Sequence, residues 1–124
     1  GGAELWLDGG HNTAGGEALA ATLAAMPARP THLICGMLNT KDIAGYLRPL
    51  AREAASLTAI DIPGEPNTLP ARATAEAARG VGLPATEAED AARAVAAITA
   101  RDPGARILIC GSLYLAGRVL RENG

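Results

Sequence analysis

The sequence predicts an α/β fold, a Rossmann-like three-layer sandwich around a mostly parallel sheet of five to six strands. Three observations support that expectation. Short apolar runs alternate with longer alanine- and leucine-rich runs about five times along the chain. The apolar runs stop at a glycine or an acid, such as Leu7-Asp8-Gly9, Cys35-Gly36, Ile60-Asp61 and Cys110-Gly111. Strands separated by a single helix must run parallel, with right-handed crossovers. At 124 residues the chain is read as one domain, 1–124, long enough to bury a real core.

Each element has a local reason. Leu5 to Leu7 is the first strand. From about Thr13 to Met26 alanines, leucines and a methionine recur at helical spacing, with Asn12 or Thr13 as cap and Pro27 and Pro30 as the stop. Thr31 to Cys35 is the second strand. Asp42 lies in the first turn of a helix running to about Glu53, where its charge suits the helix dipole, and Pro49 predicts a kink or an early end. Ser56 to Ile60 is the third strand, and Pro63 to Asn67 is a loop. A third helix starts at about Pro70, runs to about Arg79, and is stopped by Gly80 and Gly82. Ala85-Thr86 reads as a very short strand, and Thr86-x-x-Glu89 as a capping box for a helix to Arg101. Arg106 to Cys110 is the last strand and the most apolar. Gly111-Ser112 opens a final helix over about 113–122.

Composition narrows the function classes. The chain is 48% hydrophobic but only 2% aromatic, with no Phe, so its core must be built from Ala, Leu, Ile and Val. Eleven basic against thirteen acidic residues leave a net charge of -2, which provides no footprint for nucleic acid. No apolar run approaches the ~18 residues of a membrane span, and no secretory signal pattern opens the chain. Cys35 and Cys110 read as two reduced core thiols of a cytoplasmic protein, too far apart in sequence to suggest a metal site. Gly1-Gly2 leads almost directly into the first strand, which suggests a domain of something longer.

Parallel strands bring all their carboxyl ends to one edge, the edge where open α/β sheets bind ligands. Asp8, Gly36, Asp61, Thr86 and Ser112 should therefore line one rim. Asp8 is suited to accept hydrogen bonds from a ribose or a cation, or to cap its own turn. His11 is suited to donate to a phosphate or carboxylate or to shuttle a proton, or to serve structure alone. No nucleophile lies between them. Lys41-Asp42 places a cation at the rim or forms a solvated pair. Ser112 is positioned to hold an anion at a helix amino end, or to act as a plain N-cap. Gly10 and Gly15 have the spacing of a phosphate loop, but Gly16-Glu17 follow where Lys and Ser/Thr should stand, and the dinucleotide glycine signature is missing. Leu33-Ile-Cys-Gly-Met-Leu and Leu108-Ile-Cys-Gly-Ser-Leu read as two equivalent buried corners.

Together these residues resemble a known family. Leu7-Asp8-Gly9-Gly10-His11-Asn12 is similar to the Leu-Asp-Gly-Ala-His-Asn-Pro signature of folylpolyglutamate and dihydrofolate synthases. Gly36-Met37-Leu38-Asn39-Thr40-Lys41-Asp42-Ile43 resembles their Gly-Met-Leu-x-Asp-Lys-Asp-Ile segment, and Gly111-Ser112-Leu113-Tyr114-Leu115-Ala116-Gly117 resembles their Gly-Ser-Leu-Tyr-Leu-Ala-Gly ending. The three segments come in the family's order and span nearly the whole chain. Gly10 stands for Ala, Thr13 for Pro, and Thr40 for the first Asp of Asp-Lys-Asp.

The resemblance implies the carboxy-terminal domain of an ATP-dependent amide ligase that adds L-glutamate to dihydropteroate or folate through an acyl phosphate. It implies ATP and Mg²⁺, both held mainly by an amino-terminal ATPase domain. It places Asp8, Gly9 and Asn12 at the nucleotide and makes His11 the catalytic residue, near the phosphoryl-transfer centre or the incoming glutamate. Ser112, Lys41 and Asp42, with His11, fall on the substrate side; no metal ligand is expected in this chain. A monomer without nucleic-acid or membrane partners is expected. A cell-wall Mur amino-acid ligase domain is the second reading, and a stand-alone nucleotide-binding or interaction module on the same fold is the third.

Overall fold

The computed structural model describes residues 4–7, 13–38, 43–62, 64 and 66–111. Among the described residues five strands and four helices alternate: β1 (Glu4–Leu7), α1 (Thr13–Ala25), β2 (Thr31–Gly36), α2 (Ile43–Leu50), β3 (Ser56–Ala59), α3 (Ala71–Gly80), β4 (Ala85–Glu87), α4 (Ala91–Arg101) and β5 (Arg106–Gly111). The strands form one sheet in the order β1-β5-β2-β3-β4, and every ladder is parallel. The expected Rossmann-like sandwich is therefore the fold.

The period-two alternation of the strands sorts the core into two layers. Leu33 and Cys35 of β2, Leu57 and Ala59 of β3, and Leu108 and Cys110 of β5 share one face. Against it pack Leu23 of α1, Ile43, Tyr46, Leu47 and Leu50 of α2, and Ala75 and Ala78 of α3. Ile34, Ile107 and Ile109 point the other way and meet Ala94 and Ile98 of α4. Right-handed crossovers account for this split. The steps β1→β2→β3→β4 all move in one direction across the sheet, so α1, α2 and α3 fall on one face. The return from β4 to β5 puts α4 on the other. The central strands β2 and β5 are buried on both faces, which is why they read as continuous apolar runs.

Tight packing explains the low aromatic content. A Cβ on Gly16 of α1 would come within 2.2 Å of the Tyr46 carbonyl oxygen on α2, so these helices touch where one has no side chain. Tyr46 fills the layer beneath and is fully buried.

Two helix boundaries differ from the sequence expectation. Helix α4 is capped by Asp90, whose side chain accepts from the Arg93 backbone N–H at 2.8 Å, not by Thr86. Thr86 is held in the β3–β4 ladder opposite Thr58 and cannot serve as a cap. Glu89 instead pairs with Arg93 one turn on. Helix α2 ends at Leu50, directly after Pro49, and 51–53 form a turn rather than a helical continuation to Glu53. This is the early end that a proline without a donor predicts. The expected final helix over 113–122 lies outside the described residues. Among the described residues no helix is long and apolar enough to cross a membrane.

Candidate functional site

The sheet order groups the three strands that lead into the sequence motifs. β1, β5 and β2 are consecutive neighbours, with Leu7 opposite Ile109 and Gly36 opposite Gly111. Segment 8–12 continues from β1, segment 112–117 from β5, and segment 39–42 follows β2 by way of Met37 and Leu38. Three motifs far apart in sequence thus leave one edge of the sheet from adjacent strands. Asp8, Gly9, His11, Asn12, Lys41, Asp42 and Ser112 themselves lie outside the described residues.

The β2–β5 corner is closed by backbone. The repeated Leu-Ile-Cys-Gly runs lie side by side in register, Leu33 to Leu108, Ile34 to Ile109, Cys35 to Cys110 and Gly36 to Gly111. Gly111 adopts φ +117, and a Cβ there would fall 2.1 Å from the Gly36 carbonyl oxygen and 3.2 Å from Met37 Sδ. Glycine is required at this position on both counts. Cys35 and Cys110 are free thiols, both buried. Hydrogen bonding to Cys110, then burial, pushes the Cys35 thiol well above its ordinary range. Sequence separation hid this contact; the repeat of four residues was the signal that could have revealed it.

Residues 66–70 fold back over the exit of β2. Leu38 bridges Thr68, the Leu69 N–H donates to the Met37 carbonyl at 2.7 Å, and the Ile62 N–H donates to Thr68 Oγ1 at 2.8 Å. Asp61, expected on the rim, uses Oδ1 to accept from the Ala71 N–H at 2.7 Å. It caps α3, whose N-cap residue Pro70 makes no side-chain cap. Thr86 is exposed on the edge strand β4. Of the described rim residues, Gly36 therefore stands beside the motif-bearing strands, while Asp61 and Thr86 stand on the β3–β4 side.

A wholly parallel sheet with helices on both faces is the doubly wound α/β architecture, the class in which ligands bind outside the carboxyl ends of the strands. The chain belongs to the family of Mur ligase glutamate ligase domains, whose model matches residues 1–113. Among curated proteins it is similar to the folylpolyglutamate synthase of Lacticaseibacillus casei, at 34% identity over 113 residues, covering 91% of this chain and 25% of that protein. Among solved structures it is similar to Mycobacterium tuberculosis folylpolyglutamate synthase complexed with ADP and AMPPCP. The TM-score is 0.82 at 30% identity, over 97% of this chain and 29% of that one. It is also similar to E. coli FolC in complex with DHPP and ADP, with TM-score 0.80 at 26% identity, over 93% of this chain and 27% of that one. The chain thus spans between a quarter and a third of the length of these relatives.

Proposed function

We propose that this chain is the carboxy-terminal domain of an ATP-dependent amide ligase that adds L-glutamate to dihydropteroate, a folate, or both. The observation that supports the reading most strongly is the convergence of three ordered motif segments on the adjacent strands β1, β5 and β2. Family membership and the likeness to folylpolyglutamate synthases support it independently.

The chemistry follows from the substrates. A carboxylate is a poor electrophile, so its oxygen attacks the terminal phosphorus of ATP, releasing ADP and forming an acyl phosphate. The glutamate amine then attacks the acyl carbon, loses its proton, and phosphate leaves. In this reading Asp8, with Gly9 and Asn12, contacts the nucleotide. His11 stands at the transfer centre or beside the incoming amine. Ser112, Lys41 and Asp42 hold substrate. The amino-terminal domain of the complete enzyme is the part proposed to bind most of ATP and Mg²⁺. Among the described residues there is no group of three or more His, Cys, Asp and Glu arranged to hold a metal ion. Closure of the two domains would keep water from the acyl phosphate. The enzyme is proposed to work as a cytoplasmic monomer.

The test uses the complete enzyme. Asp8→Ala and His11→Ala should each lower glutamate ligation by more than about tenfold, about 1.4 kcal/mol of barrier, while circular dichroism and melting stay unchanged. Wild-type turnover in both variants overturns the reading.

A further inference from the structure

The chain holds two serines and two histidines, and the fold brings one of each together. His32 and Ser56 are register partners at the amino ends of β2 and β3, with His32 Nδ1 2.7 Å from Ser56 Oγ. Parity puts both side chains on the α4 face of the sheet, since Ile34, two residues beyond His32, packs with Ile98 of α4. There Asp102, the C-cap of α4, places Oδ2 3.2 Å from His32 Nε2. Carboxylate, imidazole and hydroxyl thus form one hydrogen-bonded chain drawn from three elements. Backbone bonds fix its two ends. The Asp102 N–H donates to the Ile98 carbonyl at 2.8 Å, and the Asp102 carbonyl accepts from the Ala105 N–H at 3.1 Å. On either side of Ser56, the Ala55 N–H donates to the Thr31 carbonyl at 2.7 Å and the Leu57 N–H to the Pro84 carbonyl at 2.8 Å. The cluster also opens to solvent. Of the side chains, 14% of His32 and 36% of Asp102 are exposed, and Ser56 is half-buried.

We propose that Ser56 is an activated nucleophile that takes an acyl group from small activated esters, with His32 as its base and Asp102 as the group that orients the base. A hydroxyl within hydrogen-bond reach of a base, itself held by a third group, is the arrangement that makes a serine nucleophilic. It is recognised by geometry and roles, not by order in the sequence. An ionised carboxylate can only accept, so in the neutral ring the single N–H sits on Nε2 and Nδ1 faces Oγ unprotonated. In the reaction Oγ bonds to the acyl carbon while its proton passes to Nδ1. Asp102 stabilises the imidazolium that forms. The bond from the acyl carbon to the ester oxygen then breaks, and the imidazolium gives its proton to that departing oxygen. The product is an ester on Ser56 and a free alcohol or phenol, and no electron is transferred. An activated ester already carries a good leaving group, so this step needs a nucleophile and a base open to solvent rather than an enclosed cavity. The site lies at the amino edge of the sheet, opposite the strand ends that lead into the motif segments, and it stands or falls independently of glutamate ligation.

The experiment incubates the complete protein that carries this chain with p-nitrophenyl acetate. Release of p-nitrophenolate is followed by absorbance, and the acetyl group is located by peptide mass spectrometry. Wild type, His32→Ala and Asp102→Asn are compared, with circular dichroism confirming that each is folded. Wild type should carry an acetyl group on Ser56. His32→Ala should acetylate Ser56 about 100-fold more slowly, the scale of general-base assistance. Asp102→Asn keeps the shape of the side chain, but its amide can donate to Nε2 and hold the ring in the wrong tautomer. Acetylation of Ser56 should then slow by at least about tenfold, an effect that a purely structural tie would not produce. A wild type without acetyl on Ser56 overturns the proposal. So does Ser56 acetylated as fast in either folded variant as in wild type.

Discussion

The amino and carboxyl edges of this sheet are joined by different means. At the amino edge side chains add ties to backbone bonds such as the Arg106 N–H to the Pro30 carbonyl and the Ala55 N–H to the Thr31 carbonyl. His32 Nε2 donates to Asp102 Oδ2 at 3.2 Å, and Nδ1 shares a hydrogen bond with the Ser56 hydroxyl at 2.7 Å. That one ring links β2, β3 and the end of α4. Arg106 Nη2 donates to the Pro27 carbonyl at 3.2 Å, and Arg29 Nε to the Gly104 carbonyl at 2.7 Å. At the carboxyl edge between β2 and β5, backbone meets backbone, and Gly111 leaves room for the Gly36 carbonyl. Side-chain ties at one edge can be lost one at a time, with water taking their place. A backbone contact at the other has no such reserve. The edge that feeds the motif segments is thus the one with the least tolerance for change.

The largest expected effect tests that intolerance. Gly111→Ala meets the Gly36 carbonyl oxygen and a φ of +117 together. It should destabilise the protein by about 3 kcal/mol or more in urea unfolding. Gly80→Ala is the control, because a Cβ at this last residue of α3 meets nothing within 4 Å. It should be neutral or stabilising by up to about 1 kcal/mol. Equal costs for the two substitutions would erase the contrast between the β2–β5 corner and an ordinary glycine.

A smaller loss is expected at the amino edge. His32→Ala removes two hydrogen bonds at once, and its ring is largely buried, with 14% of the side chain exposed. Asp102 and Ser56 both retain access to water, so the cost should be about 2 kcal/mol, not the full penalty of two orphaned groups. Ser56→Ala should cost about half as much. A double variant no worse than His32→Ala alone would confirm that the two side chains act through one ring. Losses at His32 as large as at Gly111 would mean that this edge is as brittle as the other.

The unequal legibility of the two edges in the sequence has the same origin. The strands and α1, α2 and α3 could be read because apolar periodicity and proline or glycine stops act locally. The carboxyl edge could be read because its motifs are contiguous segments, and parallel topology then carries strand ends to one side. The α4 start is expected at the capping box Thr86-x-x-Glu89 and lies instead at Asp90. Only the tertiary pairing of Thr86 with Thr58 decides between them. Asp61 was read as a rim residue, and its strand end does lie at that edge, but its carboxylate is consumed by the Ala71 N–H ten residues on. The His32–Ser56–Asp102 link and the Cys35–Cys110 contact join positions that no local pattern relates. They follow from the strand order, which depends on the return of β5 between β1 and β2. The roles of Asp8, His11 and Ser112 rest on resemblance, and mutation of the complete enzyme is what tests them.

The smallest effect separates the edges by pH. Cys35 is protonated in the folded state and held so by Cys110 and by burial, which raise its pKa. A free thiol in the unfolded chain titrates at about 8.5. Below that value both states hold the proton and the site contributes its full stability. As pH rises past it, the unfolded chain releases a proton that the folded chain keeps, so stability falls until the folded thiol also titrates. The loss should be on the order of 1 kcal/mol one pH unit above the free thiol's value. Other groups also titrate there, so the informative quantity is the difference in slope between wild type and Cys35→Ala. The variant should be less stable at neutral pH and lose less stability between pH 8 and 10. Parallel slopes would show that the thiol titrates as freely folded as unfolded, which is incompatible with a sealed contact at the β2–β5 corner.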